Sequence, residues 1–214
     1  PKQCMPLLGR AVLRWSVDAL LARPDVGTVC VVIRAEDRAR CHHALAGIGP
    51  DRLLITEGGA TRQQSVLYGL EALAAQADNK PVYVLIHDAA RPCVTPDVIG
   101  TVCAALQSGA IAAVPALPVT DTLRRRAQNG ATATEPREGL YAIQTPQGFA
   151  LEDILSLHRR FADDSLTDDA ALVERDGRAV ELTRGAVQNI KITWPGDLAR
   201  AEALLAAPRG DIRT

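Results

Sequence analysis

Val82-Tyr83-Val84-Leu85-Ile86 is an unbroken apolar run of strand length that stops abruptly at His87-Asp88-Ala89-Ala90-Arg91-Pro92. A run of this kind reads as a strand buried on both faces, and a strand so buried needs helices on both sides of its sheet. The neighbouring segments supply them. Leu13, Val17, Leu20 and Leu21 recur at helical spacing and end before Pro24. Thr28 to Ile33 is a β-branched strand, followed by a polar helix from about Glu36 to Leu45. Leu53 to Thr56 is a short strand running into Gly58-Gly59, and Thr61 with Gln64 makes a capping box that opens a helix to about Ala75. Thr95-Pro96 caps another helix, and Ile111 to Val114 is a further strand. This alternation predicts an α/β fold with a mostly parallel sheet and helices on both faces.

The pattern changes at Pro118. Thr120 to Arg126 and Ala131 to Thr134 are strand-like but polar on both sides, with Asn129-Gly130, a hairpin signal, between them. A hairpin too polar to bury itself is expected to protrude as a β-arm over about residues 118–143. The chain then returns through Gln144-Thr145-Pro146-Gln147, a helix from about Leu151, and Thr167-Asp168-Asp169-Ala170. Asn189-Ile190-Lys191-Ile192-Thr193 reads as a strand before a C-terminal helix starting near Asp197.

Bulk properties narrow the function. At 214 residues and 47% hydrophobic composition the chain can bury a core as one domain, residues 1–206, with 207–214 as a tail or linker. A net charge of −1 with no basic stripe argues against nucleic acid and for a small polar substrate held by local cations. No apolar run approaches the roughly 20 residues of a membrane span. Cys4, Cys30, Cys41, Cys93 and Cys103 are odd in number and lack a Cys-x-x-Cys pair, which fits a reducing cytoplasm rather than a disulfide framework or zinc knuckle. The histidines form no ligand cluster, so no protein metal site is expected.

Asp88 and Arg91 stand where open α/β sheets bind ligands, beyond the carboxyl end of a strand. They either grip a ligand or pair with each other locally. Lys191 faces either a crevice or solvent, and Arg137 and Lys2 are undetermined on composition alone. Gly58-Gly59 lets backbone approach a ligand before a helix N-terminus, with Ser65 one turn in.

In order along the chain, these segments resemble the 2-C-methyl-D-erythritol 4-phosphate cytidylyltransferase family. The resemblance runs through Pro1-Lys2-Gln3, Gly58-Gly59-Ala60-Thr61-Arg62, Ser65-Val66, the His87 to Pro92 motif and Asp121-Thr122. It continues through Arg137-Glu138-Gly139-Leu140, Thr145-Pro146-Gln147, Thr167-Asp168-Asp169-Ala170 and Asn189-Ile190-Lys191. It implies a Rossmann-like domain whose β-arm exchanges between subunits of a homodimer. It also implies transfer of CMP from CTP to the 4-phosphate of methylerythritol, with Mg²⁺ held mainly by the CTP phosphates. Lys2 would stabilise charge on the attacked α-phosphate and leaving pyrophosphate. Lys191 would contact both substrates, and Arg137 would grip the acceptor phosphate in the partner subunit's site. Gly59, Ala60, Ser65 and Ala89 would frame cytosine and ribose. Asp88 would sit at the ribose and the acceptor hydroxyls, with Arg91, Thr122, Thr145 and Thr167 on the acceptor side. A phosphate is already a competent nucleophile, so such a reaction needs positioning and cations rather than a general base.

The chain departs from the family pattern in two places. The family's Gly-rich phosphate loop and its strand precede the Pro-Lys-Gln motif, which sets the expectation of a further segment ahead of Pro1. Ala60 replaces an acid common beside the second glycine. Gly210-Asp211-Ile212-Arg213-Thr214 resembles the junction of bifunctional relatives and leaves open a fused cyclodiphosphate synthase domain. The alternatives are a ribitol-phosphate or related sugar-phosphate cytidylyltransferase, or a catalytically silent nucleotide-binding module.

Overall fold

The chain enters through a turn of 3-10 helix, Lys2–Cys4, and the short strands β1 (Pro6–Leu7) and β2 (Arg10–Ala11), then helix α1 (Val12–Leu21). The structure, a computed structural model, describes residues 1–76, 82–162 and 168–207. Strand β3 (Val29–Ile33), helix α2 (Arg38–Ala44), β4 (Leu53–Glu57), α3 (Arg62–Ala74), β5 (Tyr83–Ile86) and α4 (Pro96–Gln107) follow in the expected alternation. Next come β6 (Ala112–Pro118), β7 (Leu123–Arg126), β8 (Thr132–Glu135), β9 (Tyr141–Ile143) and β10 (Gln147–Ala150). Helices α5 (Leu151–Arg160) and α6 (Ala170–Arg175), strand β11 (Glu181–Arg184) and helix α7 (Pro195–Ala206) are the last of the described elements.

The central sheet runs β11-β6-β10-β5, with β9 also on β6, and β3 pairs with β4. The β3–β4 and β6–β11 pairs are parallel. Strand β10 is antiparallel to both β5 and β6. No crossover helix separates β9 from β10, so the returning chain cannot re-enter parallel to β6. The sheet is therefore mixed around one antiparallel insertion. Helices cover both faces. Val84, Ala112 and Val114 pack with Leu70 of α3 and Ile154 of α5. On the opposite face Val29, Val31 and Ile33 pack with α1 and α4, and Ala113 meets Val102 and Leu106 of α4.

The β7–β8 hairpin pairs only with itself among the described residues, in the register Leu123↔Glu135 to Arg126↔Thr132. Gly130 takes φ +85°, a left-handed conformation glycine adopts freely, at the turn the Asn-Gly pair predicts. The hairpin is exposed along nearly its whole length.

Two expectations change. Val82 is 72% and Tyr83 40% exposed, so the apolar run is not buried throughout. Among the described residues its strand pairs with β10 on one edge, and β3 pairs only with β4. A cavity of about 590 Å³ lies between β3 and β5, lined by residues 29–32 and 82–88, Val17 of α1 and Gly69 of α3. The Asn189–Thr193 segment forms no strand ladder. Its apolar pair Ile190 and Ile192 alternates as in a strand, but the Ile192 N–H bonds the Ala90 carbonyl at 2.8 Å in a loop-to-loop contact.

Candidate functional site

The end of β5 gathers Asp88, Arg91, Thr145 and Lys191 into one bonded cluster. Lys191 Nζ lies 2.9 Å from Asp88 Oδ2, and Arg91 Nε reaches the same oxygen at 3.4 Å. Local Asp88–Arg91 pairing is thus present, but the closer cation comes from Lys191, whose side chain turns to the crevice. Burial raises the Asp88 carboxyl pKa, and the hydrogen bond and charge of Lys191 with the charge of Arg91 outweigh it, leaving the pKa below its ordinary value. Arg91 Nη1 donates to the Asn189 carbonyl at 2.8 Å. The Asp88 N–H donates to Thr145 Oγ1 at 3.0 Å, and that hydroxyl lies 2.9 Å from His87 Nδ1. Ala89 is anchored through its carbonyl, which accepts from Ser16 Oγ at 3.0 Å.

A second cluster stands at the N-terminus of α3. Thr61 caps the helix by accepting from the Gln64 N–H at 3.1 Å, while Gln64 Oε1 accepts from the Ala60 N–H at 2.9 Å. The capping residues are those expected, but Gln64 reaches one residue ahead of the cap. The Gly59 N–H donates to Ser65 Oγ at 3.2 Å. A Cβ on Gly58 would lie 2.6 Å from Ser65 Oγ, and one on Gly59 2.5 Å from Gln64 Cβ. Both glycines are therefore required for this close approach. Ser65, Asp88 and Ala89 line the same cavity.

The remaining expected residues stand apart. Lys2 is exposed, and no hydrogen bond or ion pair among the described residues ties it to Asp88; its charge acts on Asp197. Arg137 is exposed at the arm and donates to the Thr120 carbonyl, and Thr122 is exposed nearby. Thr167 lies outside the described residues.

Sequence reasoning gave no role to Arg62, Asp169 or His158. Arg62 Nη2 and Nη1 meet Asp169 at 2.6 and 3.2 Å, and His158 Nε2 sits 3.2 Å from the same carboxylate. Asp169 and His158 are each 1% exposed. Burial raises the Asp169 pKa, but His158 and Arg62 bring it below the ordinary value. The Gln147 side chain joins this group to the sheet through Asp168 Oδ2 at 3.1 Å and the Ala170 N–H at 3.2 Å. The signals in the sequence were the Asp168-Asp169 doublet and Arg62 at the end of the Gly58-Gly59-Ala60-Thr61-Arg62 segment, with nothing to link them. Among the described residues no group of three or more His, Cys, Asp or Glu gathers to hold a metal.

The family model for 2-C-methyl-D-erythritol 4-phosphate cytidylyltransferase (IspD) matches residues 1–207. The chain belongs to this cytidylyltransferase family. It is 43% identical over 210 residues to the 2-C-methyl-D-erythritol 4-phosphate cytidylyltransferase of Cereibacter sphaeroides strain KD131, covering 98% of this chain and 91% of that protein. It is 48% identical to the bifunctional enzyme IspD/IspF of Paracoccus denitrificans over 96% of this chain and 51% of that protein. The chain thus spans about half the length of the bifunctional relatives it matches. The crystal structure of the Thermus thermophilus cytidylyltransferase superposes with a TM-score of 0.79 at 35% identity, covering 97% of this chain and 95% of that one. The segments that carried the family resemblance in the sequence include the Asp88–Lys191 cluster, the α3 N-terminus and the Asp168-Asp169 group. Cytidylyltransferase membership also accounts for the fold, which superposes on the Thermus structure over nearly its whole length.

Proposed function

We propose that this protein transfers CMP from CTP to 2-C-methyl-D-erythritol 4-phosphate, giving 4-diphosphocytidyl-2-C-methyl-D-erythritol and pyrophosphate for non-mevalonate isoprenoid synthesis. The observation that carries this reading beyond family membership is the Lys191–Asp88 ion pair at the carboxyl end of β5. The acceptor phosphate attacks the α-phosphate of CTP and pyrophosphate leaves, so the reaction asks for cations and orientation. Lys191 is half-exposed while Asp88 holds its ammonium at the crevice, a cation ready to exchange its carboxylate for phosphate. Arg91 and Thr145 sit on the acceptor side, and Gly59, Ala60, Ser65 and Ala89 on the nucleotide side. Lys2 supplies a second cation to the leaving pyrophosphate.

In this reading residues 1–206 form the nucleotidyltransferase domain. The cavity between β3 and β5 receives the strand that the family pattern sets ahead of Pro1, followed by the phosphate loop. The β-arm crosses to a second subunit, where Arg137 and Thr122 meet the acceptor, as does Thr167. Mg²⁺ would be held mainly by the triphosphate oxygens and its own waters, since the ion dehydrates reluctantly and takes few protein ligands. The bifunctional relatives support a fused cyclase domain beyond the tail. No helix among the described residues is long and apolar enough to cross a membrane. The cysteines of the described residues are free thiols, which fits a reducing, cytoplasmic setting. Pyrophosphate release from CTP, measured with methylerythritol phosphate and with ribitol phosphate, tests the assignment. Release with the first acceptor is expected; release with ribitol phosphate alone rejects it.

A further inference from the structure

Lys191 reaches its place without a strand to hold it. Two residues before it, Asn189 is fully buried at 0% exposure. Its Nδ2 donates to the Thr145 carbonyl at 2.9 Å and to Gln144 Oε1 at 3.2 Å, while its own carbonyl accepts from Arg91. Gln144 extends the tie: its Oε1 accepts from the Ala186 N–H at 3.1 Å and its Nε2 donates to the Ala186 carbonyl at 2.9 Å. One residue after Lys191, the Ile192 N–H is fixed to Ala90. The backbone on both sides of Lys191 is therefore fastened to the loop whose Asp88 its ammonium grips. Among the described residues Asn189 Oδ1 has no hydrogen-bond partner, so the donor side of the amide makes the ties that hold this loop.

We propose that Asn189 is the positioning residue for Lys191: its buried amide fixes the ammonium at the Asp88 crevice and joins the Lys191 loop to Thr145 and Arg91. No other kind of side chain of this size serves as well. A carboxylate cannot donate, and an aliphatic group leaves the Thr145 carbonyl without this donor. The kinetic consequence rests on the reading that Lys191 acts in CMP transfer; the placement of Lys191 does not.

Two measurements on the full-length protein test this. In the first, Asn189→Ala lowers kcat on the order of tenfold with little change in KM for CTP, because a small displacement of a positioned cation is costly to turnover. Placed in a Lys191→Ala background the same change adds little, within about threefold, since both remove one interaction. Losses that multiply overturn the proposal. In the second, acetic anhydride labelling is read by mass spectrometry. The chain has only three lysines, Lys2, Lys80 and Lys191, so Lys2 serves as an internal reference. Asn189→Ala is expected to raise the labelling of Lys191 relative to Lys2; an unchanged ratio overturns the proposal. Asn189→Ser, which keeps a donor, recovers part of both effects and serves if the alanine variant unfolds. A wild-type protein that does not turn over CTP rejects the functional reading, and the labelling ratio still decides the positioning.

Discussion

The Thr145 hydroxyl is hydrogen-bonded to His87 Nδ1 at 2.9 Å. The other ring nitrogen, Nε2, lies 3.2 Å from the Arg91 carbonyl, which can only accept. Nε2 therefore carries the proton, Nδ1 accepts from Thr145, and the Thr145 oxygen is free to accept from the Asp88 N–H. This directed chain sets the backbone of Asp88, Arg91 and Thr145 with a neutral imidazole whose nitrogens are both engaged. His87 is thereby a brace, with neither ring nitrogen free to act as a general base. Thr145→Val keeps the shape but leaves the Asp88 N–H and His87 Nδ1 unpaired. It is expected to cost about 1–3 kcal/mol of stability, with Thr145→Ser close to wild type, as read from urea unfolding.

The same ring makes stability depend on pH. Desolvation pushes the His87 pKa down from 6.5 to about 4. Between those values the unfolded chain binds the extra proton, so the contribution is complete above 6.5 and is lost as pH falls towards 4. The full effect is at most about 3 kcal/mol. Urea midpoints at neutral pH and at about pH 5 should separate clearly in the wild type and much less in His87→Asn. An equal separation in both would assign the pH dependence to other groups.

Asp169 is buried between Arg62 and His158, so its removal takes from the Arg62 guanidinium the carboxylate it binds through both terminal nitrogens and leaves His158 without its acidic neighbour. Asp169→Ala is expected to cost about 3 kcal/mol, near the lower end for a buried pair because Arg62 is 44% exposed. Denaturant unfolding measures it, and a loss under about 0.5 kcal/mol would mean that the pair is decorative.

Much of the fold is legible in the sequence because burial imposes a period. The Thr61 and Thr95 caps, the α1 stripe and the Asn129-Gly130 turn each announce themselves locally. Strand β11 does not: Glu181-Leu182-Thr183-Arg184 carries a single apolar residue and is a strand only because β6 pairs with it. Asn189–Thr193 errs the other way, since Ile190 and Ile192 imitate strand alternation while their backbone bonds go elsewhere. In the site, Asp88 and Lys191 are recognisable by type, but that they form one ion pair is decided by the packing of distant loops. Arg62 and Asp169 lie on separate elements with no periodic relation, so nothing local links them.

Arg137 is exposed and donates to the Thr120 carbonyl at the base of the arm. If it grips the acceptor phosphate across a dimer, Arg137→Ala raises KM for methylerythritol phosphate by about tenfold and leaves KM for CTP unchanged. Steady-state kinetics with each substrate varied checks this. A rise in KM for CTP instead would move Arg137 to the nucleotide side.

The most direct measurement is a phosphorus NMR time course of the full-length protein with CTP, Mg²⁺ and methylerythritol phosphate, run beside Lys191→Ala. The account predicts a new diphosphate diester appearing in step with equal inorganic pyrophosphate, at a rate reduced about a hundredfold in a folded Lys191→Ala protein. Unchanged CTP signals in the wild type, or equal rates in the two proteins, would contradict it.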